Sequence, residues 1–574
     1  MTDNRKTAES MANQAREISI SEFFEKNRHL LGYDNKIKAL LTIVKEGVDN
    51  ALDATEEARI LPDIYIKVEE IRKEKYKVVI KDNGPGIVKK QIPRIFGSLL
   101  YGSKFHRMRQ SRGQQGIGVS GAVLYSQLTT GEPTKVISST GDGKTHKYEI
   151  KIDVKVNQPK ILRDEVVEDG DNKWHGVQIT FIAEGIYREH KQSAMEYIKQ
   201  VAISNPYANI VFDTPNGRVE FARGIEKLPE EPKEIKPHLY GIEVGILTRM
   251  LHETKARTLL TFLTSEFSRV GRLSAVQIIK KAGITRENPQ TGKEEPEFNI
   301  SPKKVDHNMR VALVDAIKEV KLSRPPTDCL SPLGAEAVES GLKKELNPEF
   351  TATLTRPPEV YRGWPFEIEV GIAYGGSITE SSIMRFANRV PLLYQSGDCA
   401  ITKAVGQVDW KRYGLQGDRM PEGPVIVFVH FASVWVPFTS ESKEAIANYP
   451  IIIKETKLAL QDCARKLSLY LSGVRRAAAI QERKLIFERY AGETAQAIQE
   501  LTGEKKKAVE EMIIKLVEKR WGEIVKEMGE EEPEELSGEG EEAPPPEENE
   551  KEEGEENGEG SGEGDTEEDS ESGK

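Results

Sequence analysis

Cysteine is scarce in this sequence: Cys329, Cys399 and Cys463 are the only three among 574 residues. They stand far apart, which excludes a disulfide framework or a cysteine metal site built on close pairs, and leaves reduced packing thiols. Nowhere does an apolar run reach the length needed to span a bilayer, and the amino terminus is polar and charged. These absences predict a cytoplasmic protein with no membrane partner. The phosphate-binding pattern G-x-x-x-x-G-K-[ST] does not occur either. A P-loop nucleotide site is thereby excluded.

What the chain does have is charge, unevenly spread. From Gly529 to Lys574 there are 22 acidic residues against two lysines, so the overall charge of -11 divides into -20 there and +9 elsewhere. The tail is also rich in Gly and Pro and almost devoid of apolar groups, so it cannot offset its ordering entropy and is expected to be disordered. A basic body favours a polyanionic partner such as nucleic acid. Charge alone reads as a solvated Lys- and Glu-rich surface.

The length allows about three or four domains. Residues 1–35 are a polar lead ending in SISEFFEKNRHLLGYD, where Phe23, Phe24, Leu30 and Leu31 make an apolar patch in need of a surface. From Lys36 to about Arg59 apolar residues recur at helical spacing, and the strand-like runs DIYIKVEE and YKVVIKD follow. Then come DNGPGI, a helical stretch holding IPRIFGSLL, and the glycine loop SRGQQGIGVSG opening onto the helix AVLYSQL. With KYEIKIDVKV and HGVQITFIA as further strands, the order predicts an α/β sandwich ending near Asn216. The stretch Lys236 to Val320 is mostly helical, with a loop in TRENPQTGKEEPEFN. Strand signals return up to Ile453, and Lys454 to Met528 reads as helix throughout.

Three elements carry chemistry. Glu46 and Asn50, four residues apart, share a helix face, where an amide oxygen can hold Mg²⁺ and a carboxylate can deprotonate a water. Taken alone, such a pair is an ordinary exposed helix face. In DNGPGI, Asp82 could accept a hydrogen bond from an exocyclic amine, while Gly84 and Gly86 let backbone approach a flat ring. By itself the motif reads as a surface β-turn. The loop RGQQGIG, with Gly113, Gly116 and Gly118, can wrap phosphates in backbone N–H groups at a helix N-terminus.

In that order EGVDNALDA, DNGPGI, RGQQGIG and GVQIT resemble the four signatures of the Bergerat-type (GHKL) ATPases shared by gyrase, heat-shock chaperones, histidine kinases and MutL. The resemblance implies Glu46 as the water-activating base, Asn50 as the Mg²⁺ ligand, and Asp82, with Gly84 and Gly86, as the adenine reader supported by Thr180. The lid would be Arg112, Gly113, Gln114, Gln115, Gly116, Ile117, Gly118 and Val119. Between these signatures, FFEKNRHLLGYD, FGSLLYGSKFH, GVSGAVLYSQ, PPTDCLSP, RFANRVPLLY and WVPFTSESKEAIA resemble the B subunits of DNA topoisomerase VI.

That family implies an α/β multidomain chain: a strap over 1–35, an ATPase domain over 36–235, a helix-two-turns-helix domain over 236–320, a transducer over 321–475, helices over 476–528 that contact a DNA-cleaving A subunit, and the acidic tail over 529–574. It places Ser103 and Lys104 beside the nucleotide and makes Lys443 the switch lysine reaching the γ-phosphate. Its expected cofactors are ATP and Mg²⁺. Its partners are the A subunit, a second copy within a heterotetramer, and double-stranded DNA at the nucleoid. A MutL-like repair clamp and an ATP-dependent chaperone are the competing readings. Two decoys carry less: His252 and Glu253 in LHETKARTLL follow the ATPase segment, where a phosphoacceptor box would precede it, and Asp169 and Asp171 in VEDGDNKWHG fit a turn.

Overall fold

The computed structural model of the chain describes residues 22, 24, 26–102, 108–113, 116–168, 174–287, 293–440 and 442–529, with backbone alone over 521–529. Phe23, Ser103, Lys104, Gln114, Gln115, Asp169, Asp171, most of the strap and the acidic tail after Gly529 lie outside the described residues. The chain divides into two compact units, residues 1–474 and 475–574.

The larger unit begins with helix α1 (Lys36–Glu57), which starts where the Asn35 side chain accepts a hydrogen bond from the Lys38 amide. Capping of this kind is worth about 1 kcal/mol. The apolar face read from the sequence is the buried one, carrying Leu40, Leu41, Val44, Val48, Ala51 and Leu52. Each fully buried aliphatic side chain contributes roughly 1.5–3 kcal/mol. Strands β1 (Asp63–Arg72) and β2 (Lys75–Lys81) follow, then helices α2 (Ile92–Gly97) and α3 (Gly118–Thr130). Strands β3 (Thr134–Thr140), β4 (Lys144–Asp153), β5 (Gln158–Glu168) and β6 (His175–Glu184), helix α4 (Ala194–Ser204), and strands β7 (Asn209–Thr214) and β8 (Gly217–Phe221) complete this part.

The eight strands form one sheet in the order β5-β4-β3-β6-β2-β1-β7-β8, antiparallel except for the parallel pair of β1 and β7. Helices α1, α3 and α4 pack together, with α1 and α3 against β6. The sheet runs past the expected end near Asn216, because the Pro215–Asn216 turn closes a hairpin of β7 and β8. A turn signal marks a boundary or a hairpin equally well, and here the following GRVEF pairs back on IVFDT.

Next come helices α5 (Val244–Glu253), α6 (Leu259–Glu266) and α7 (Arg272–Lys281), strands β9 (Thr285–Glu287) and β10 (Glu294–Pro296), and helix α8 (His307–Glu319). Their helices enclose a core of their own around Leu247, Phe262, Ile278 and Leu313. The segment expected as a loop carries the short β9–β10 pair. His252 is exposed on α5.

Helix α9 (Ala335–Leu346) then leads into a second sheet of β11 (Phe350–Thr355), β12 (Glu359–Tyr361), β13 (Trp364–Tyr374), β14 (Ser382–Ala387) and β15 (Val390–Pro391). Helix α10 (Ala400–Val405) and β16 (Val425–Ser433) complete it, in the order β11-β13-β16-β14-β15 with β12 beside β13. All nine residues of β16 are buried, which accounts for its run of apolar residues broken only by His430 and Ser433. Helix α9 touches both this sheet and α4, and a Cβ at Gly341 would fall 2.2 Å from the Ile203 carbonyl oxygen. The two sheets are thereby held in contact through paired helices. The three cysteines are free and buried.

Helix α11 (Pro450–Thr502) continues into the smaller unit, where α12 (Lys506–Gly529) follows it. The reading of one helix throughout is corrected by a break at Gly503, whose φ of +77° lies in the left-handed region that ends helices. Within this unit Ala491 and Ala495 are buried, Lys506 reaches Gln496 at 3.2 Å, and Leu485, Ile486, Tyr490, Met512 and Leu516 are exposed. No helix among the described residues is long and apolar enough to cross a membrane.

Candidate functional site

Helix α1 presents Glu46, Asp49, Asn50 and Asp53 on one face, at spacings of three, four and seven residues. All four line a cavity of about 540 Å³. The Asn50 amide nitrogen donates to the Glu46 carbonyl at 2.6 Å, which leaves the amide oxygen as the group available to a ligand. Asp49 is buried, and its Oδ1 accepts from the Tyr197 hydroxyl at 2.6 Å. Burial, reinforced by the Glu46 charge, pushes its carboxyl up to about 6, against the pull of Lys45, Lys443 and Tyr197.

Opposite α1 lies the glycine loop. Gly113, Gly116, Ile117, Gly118 and Val119 line the same cavity. Gly116 has φ +61°, and Gly118 opens α3 so closely over α1 that a Cβ there would sit 1.8 Å from Glu46 Oε2. The N-terminal end of α3, with its exposed N–H groups and positive dipole end, therefore faces the Glu46 carboxylate.

The third wall comes from far along the chain. Lys45 donates to the Ser442 carbonyl at 3.1 Å, and Lys38 pairs with Glu444 at 2.5 Å and with Asp34 at 3.1 Å. These bonds fasten the residues on either side of Lys443 to α1. Lys443 itself has φ +55°, is buried, and donates from Nζ to the Arg112 carbonyl at 3.1 Å. Its ammonium thus reaches the root of the glycine loop. Lys45 is lowered by burial, which Glu46 opposes and the neighbouring Lys443 charge reinforces.

Asp82, Gly84, Gly86 and Thr180 lie outside the lining of this cavity. Asp82, at the end of β2, is buried, and its Oδ1 accepts from the Gly84 amide at 2.8 Å and the Val177 amide at 3.1 Å. Burial pushes its carboxyl up to about 6, although those two amides pull the other way. Gly86 has φ +73°, and a Cβ there would meet the Ser139 carbonyl oxygen at 2.0 Å, so glycine is required twice over. Thr180 is buried on β6, opposite Val79 of β2.

Arg112 departs from the expected lid role in its side chain. Its guanidinium turns away from the cavity into a buried ion cluster, meeting Asp53 at 3.0 Å, Glu56 at 2.6 and 2.8 Å and Asn205 at 2.5 Å. Only its carbonyl serves the cavity, through Lys443. Phe24 likewise packs within its own chain, 5.4 Å from Tyr33, whose ring stacks on Tyr125 at 4.7 Å. Phe24 and Tyr33 both line the cavity, and Tyr33 is raised by burial and by the Glu46 charge.

Lys45, Asp49, Tyr33 and Tyr197 are not among the expected site residues. Projecting EGVDNALDA on a helical wheel finds Asp49, which shares the face of Glu46 and Asn50. Nothing in sequence spacing brings Tyr197 or Ser442 to α1. Among the described residues no group of three or more His, Cys, Asp or Glu side chains could hold a metal ion.

Residues 35–156 match the model of the histidine kinase-, DNA gyrase B- and HSP90-like ATPases, and residues 325–484 match that of the topoisomerase VI B subunit transducer. The chain is 50% identical over 473 residues to the type 2 DNA topoisomerase 6 B subunit from Methanococcoides burtonii, covering 81% of this chain and 74% of that protein. To its namesake from Archaeoglobus fulgidus it is 47% identical over 80% of this chain and 75% of the other. With that of Pyrococcus furiosus the identity is 41%, over 88% and 94%. A repair clamp or chaperone would share the ATPase segment, but not the transducer match or identity of this extent. The chain therefore belongs to the family of type 2 DNA topoisomerase 6 B subunits, ATP-binding subunits of ATP-dependent type II topoisomerases.

Proposed function

We propose that the 540 Å³ cavity holds the triphosphate of ATP, and that its closure joins two copies of this chain around a DNA segment. The observation that carries this reading is convergence: Glu46, Asn50, the Gly116–Val119 loop and Lys443 line one cavity from three parts of the chain. Glu46 is the general base that takes a proton from the attacking water. The helix opening at Gly118 and the loop amides bind phosphate oxygens, and the Lys443 ammonium, a flexible point charge, takes the terminal phosphate in place of the Arg112 carbonyl. Asp82, with Gly84, Gly86 and Thr180, receives adenine, and Ser103, Lys104, Gln114 and Gln115 complete the nucleotide contacts.

An amide oxygen at Asn50, with no all-protein cage around it, suits Mg²⁺, which keeps waters and phosphates as its other ligands. Mg²⁺ supplies charge compensation on the phosphate oxygens when bound. Every other role falls to the chain's own groups. Since ATP favours the closed arrangement, differential affinity drives the closure and hydrolysis releases it.

Cleavage of DNA belongs to the A subunit, and the exposed Leu485, Ile486, Tyr490, Met512 and Leu516 of the smaller unit offer it an apolar surface. The assembly is a heterotetramer of two A and two B subunits acting on duplex DNA, in the cytoplasm at the nucleoid. The division is strap 1–35, ATPase 36–235, helix-two-turns-helix 236–320, transducer 321–475, A-subunit helices 476–528 and tail 529–574. The test is Glu46→Ala in the full chain with A subunit and duplex DNA present. ATP turnover should fall at least about a thousandfold while a nonhydrolysable ATP analogue still binds. Retained turnover refutes the assignment.

A further inference from the structure

Beyond the cavity, a chain of buried polar groups runs from the second sheet to the glycine loop. It begins at Glu369 on β13, whose carboxylate accepts from the Leu333 amide at 2.9 Å and the Gly334 amide at 2.6 Å. Its Oε2 lies 2.6 Å from Nδ1 of His430 on β16, and both side chains have no exposed surface. His430 Nε2 lies 2.9 Å from the Arg389 amide nitrogen, which can only donate, so Nε2 accepts and Nδ1 carries the proton toward Glu369.

This support falls on an unusual piece of backbone. Asn388 and Arg389 are the two residues between β14 and β15, and their φ values are +47° and +68°. Two-residue hairpin turns with positive φ at both positions are normally filled by Asn and Gly. Arginine has a Cβ and gains nothing locally from this conformation, so the surroundings must hold it there.

What the turn delivers is contact with the nucleotide-side elements. Asn388 Nδ2 donates to the Ser111 carbonyl at 3.0 Å. Arg389 donates to Glu56 Oε2 at 3.0 Å, to the Tyr207 hydroxyl at 2.8 Å and to Ser331 Oγ at 3.0 Å. Glu56 lies in the C-terminal part of α1, and its other donors are the two terminal guanidinium nitrogens of Arg112 and the Tyr207 hydroxyl. Burial alone would raise the Glu56 carboxyl, but Arg112 and Arg389 outweigh it and hold it below the ordinary range. Two arginines from separate segments therefore share one buried carboxylate, and the Arg112 carbonyl is the atom that Lys443 holds.

We infer that Arg389 is a positioning residue for ATP turnover: through Glu56 it fixes Arg112, and through the Arg112 carbonyl it sets where Lys443 stands. The part of the chain that carries the second sheet thus reaches the terminal-phosphate end of the cavity twice, directly by Lys443 in the loop after β16 and indirectly by Arg389 in the β14–β15 turn. An arginine fork is suited to this, since it pairs with Glu56 while its second nitrogen bonds Ser331. The inference rests on the reading of the cavity as the triphosphate site.

The experiment is a double-mutant cycle on ATP turnover, in the full chain with A subunit and duplex DNA. Arg389→Gln should lower kcat about tenfold or more, with affinity for a nonhydrolysable ATP analogue changed less than about threefold. In a Lys443→Ala background the same change should lower kcat less than about threefold, because the residue it acts through is gone. A merely structural role would give equal losses in both backgrounds, and that result overturns the inference. So does an unchanged kcat in Arg389→Gln. Should Arg389→Gln fail to fold, Arg389→Lys, which keeps the charge and loses the fork, is read by the same two criteria. If the unaltered chain neither binds the analogue nor hydrolyses ATP, it is the cavity reading that fails.

Discussion

Gly118 and Glu46 lie closer than any side chain at residue 118 would permit, since a Cβ there would fall 1.8 Å from Glu46 Oε2. The atom met is the end of a flexible side chain, so the fold can give way cheaply by swinging the carboxylate aside. The carboxylate's place is the thing lost. Gly118→Ala should therefore cost at least about a hundredfold in ATP turnover, the usual scale for an ångström of misplacement, while the melting temperature changes by only a few degrees. Steady-state kinetics beside thermal unfolding checks this; a variant that loses stability and keeps turnover contradicts it.

Asp49 makes the stability of the larger unit depend on pH. Its folded value of about 6 stands above the ordinary 3.8, so between those values the folded chain binds more proton than the unfolded one. Stability then falls as pH rises through this window and levels off above it, at a cost on the order of 3 kcal/mol. Burial raises the Asp49 value first, the facing Glu46 charge adds to this, and Lys45, Lys443 and Tyr197 oppose it. Asp49→Asn keeps an oxygen for Tyr197 and removes the titration. Its melting temperature relative to the unaltered chain should be higher at pH 7.5 than at pH 4, and a difference constant across pH rules the account out.

Asn50 is exposed, so its replacement by alanine should cost little in stability. Loss of the amide oxygen should instead raise the Mg²⁺ concentration needed for half-maximal turnover about tenfold and weaken binding of the Mg²⁺-nucleotide complex. Titrating turnover against Mg²⁺ at fixed ATP measures it. An unchanged Mg²⁺ dependence removes Asn50 from the metal's ligands.

The parts of this molecule legible in the sequence are those whose signal is local. Helical spacing gives α1, its buried face and the shared face of Glu46 and Asn50, while it is the resemblance to the ATPase signatures that implies their meeting with the glycine loop. The hairpin of β7 and β8 is hidden because Pro215–Gly217 punctuates equally well as an ending or a turn. Arg112 reads as part of its loop, and only tertiary packing reveals that its guanidinium belongs to Asp53 and Glu56. Likewise nothing in RFANRVPLLY announces that Arg389 needs a left-handed φ, or that His430, forty-one residues later, fixes its amide. Pairings between distant segments leave no periodic mark.

One wall of the cavity contains Phe24 and another Lys443, residues from nearly opposite ends of the larger unit. During synthesis this cavity cannot be finished until everything between them has emerged and docked. A chain cut short before residue 443 would lack that wall and leave the cavity open on one side. Retention of nucleotide would then report that assembly of this unit is complete.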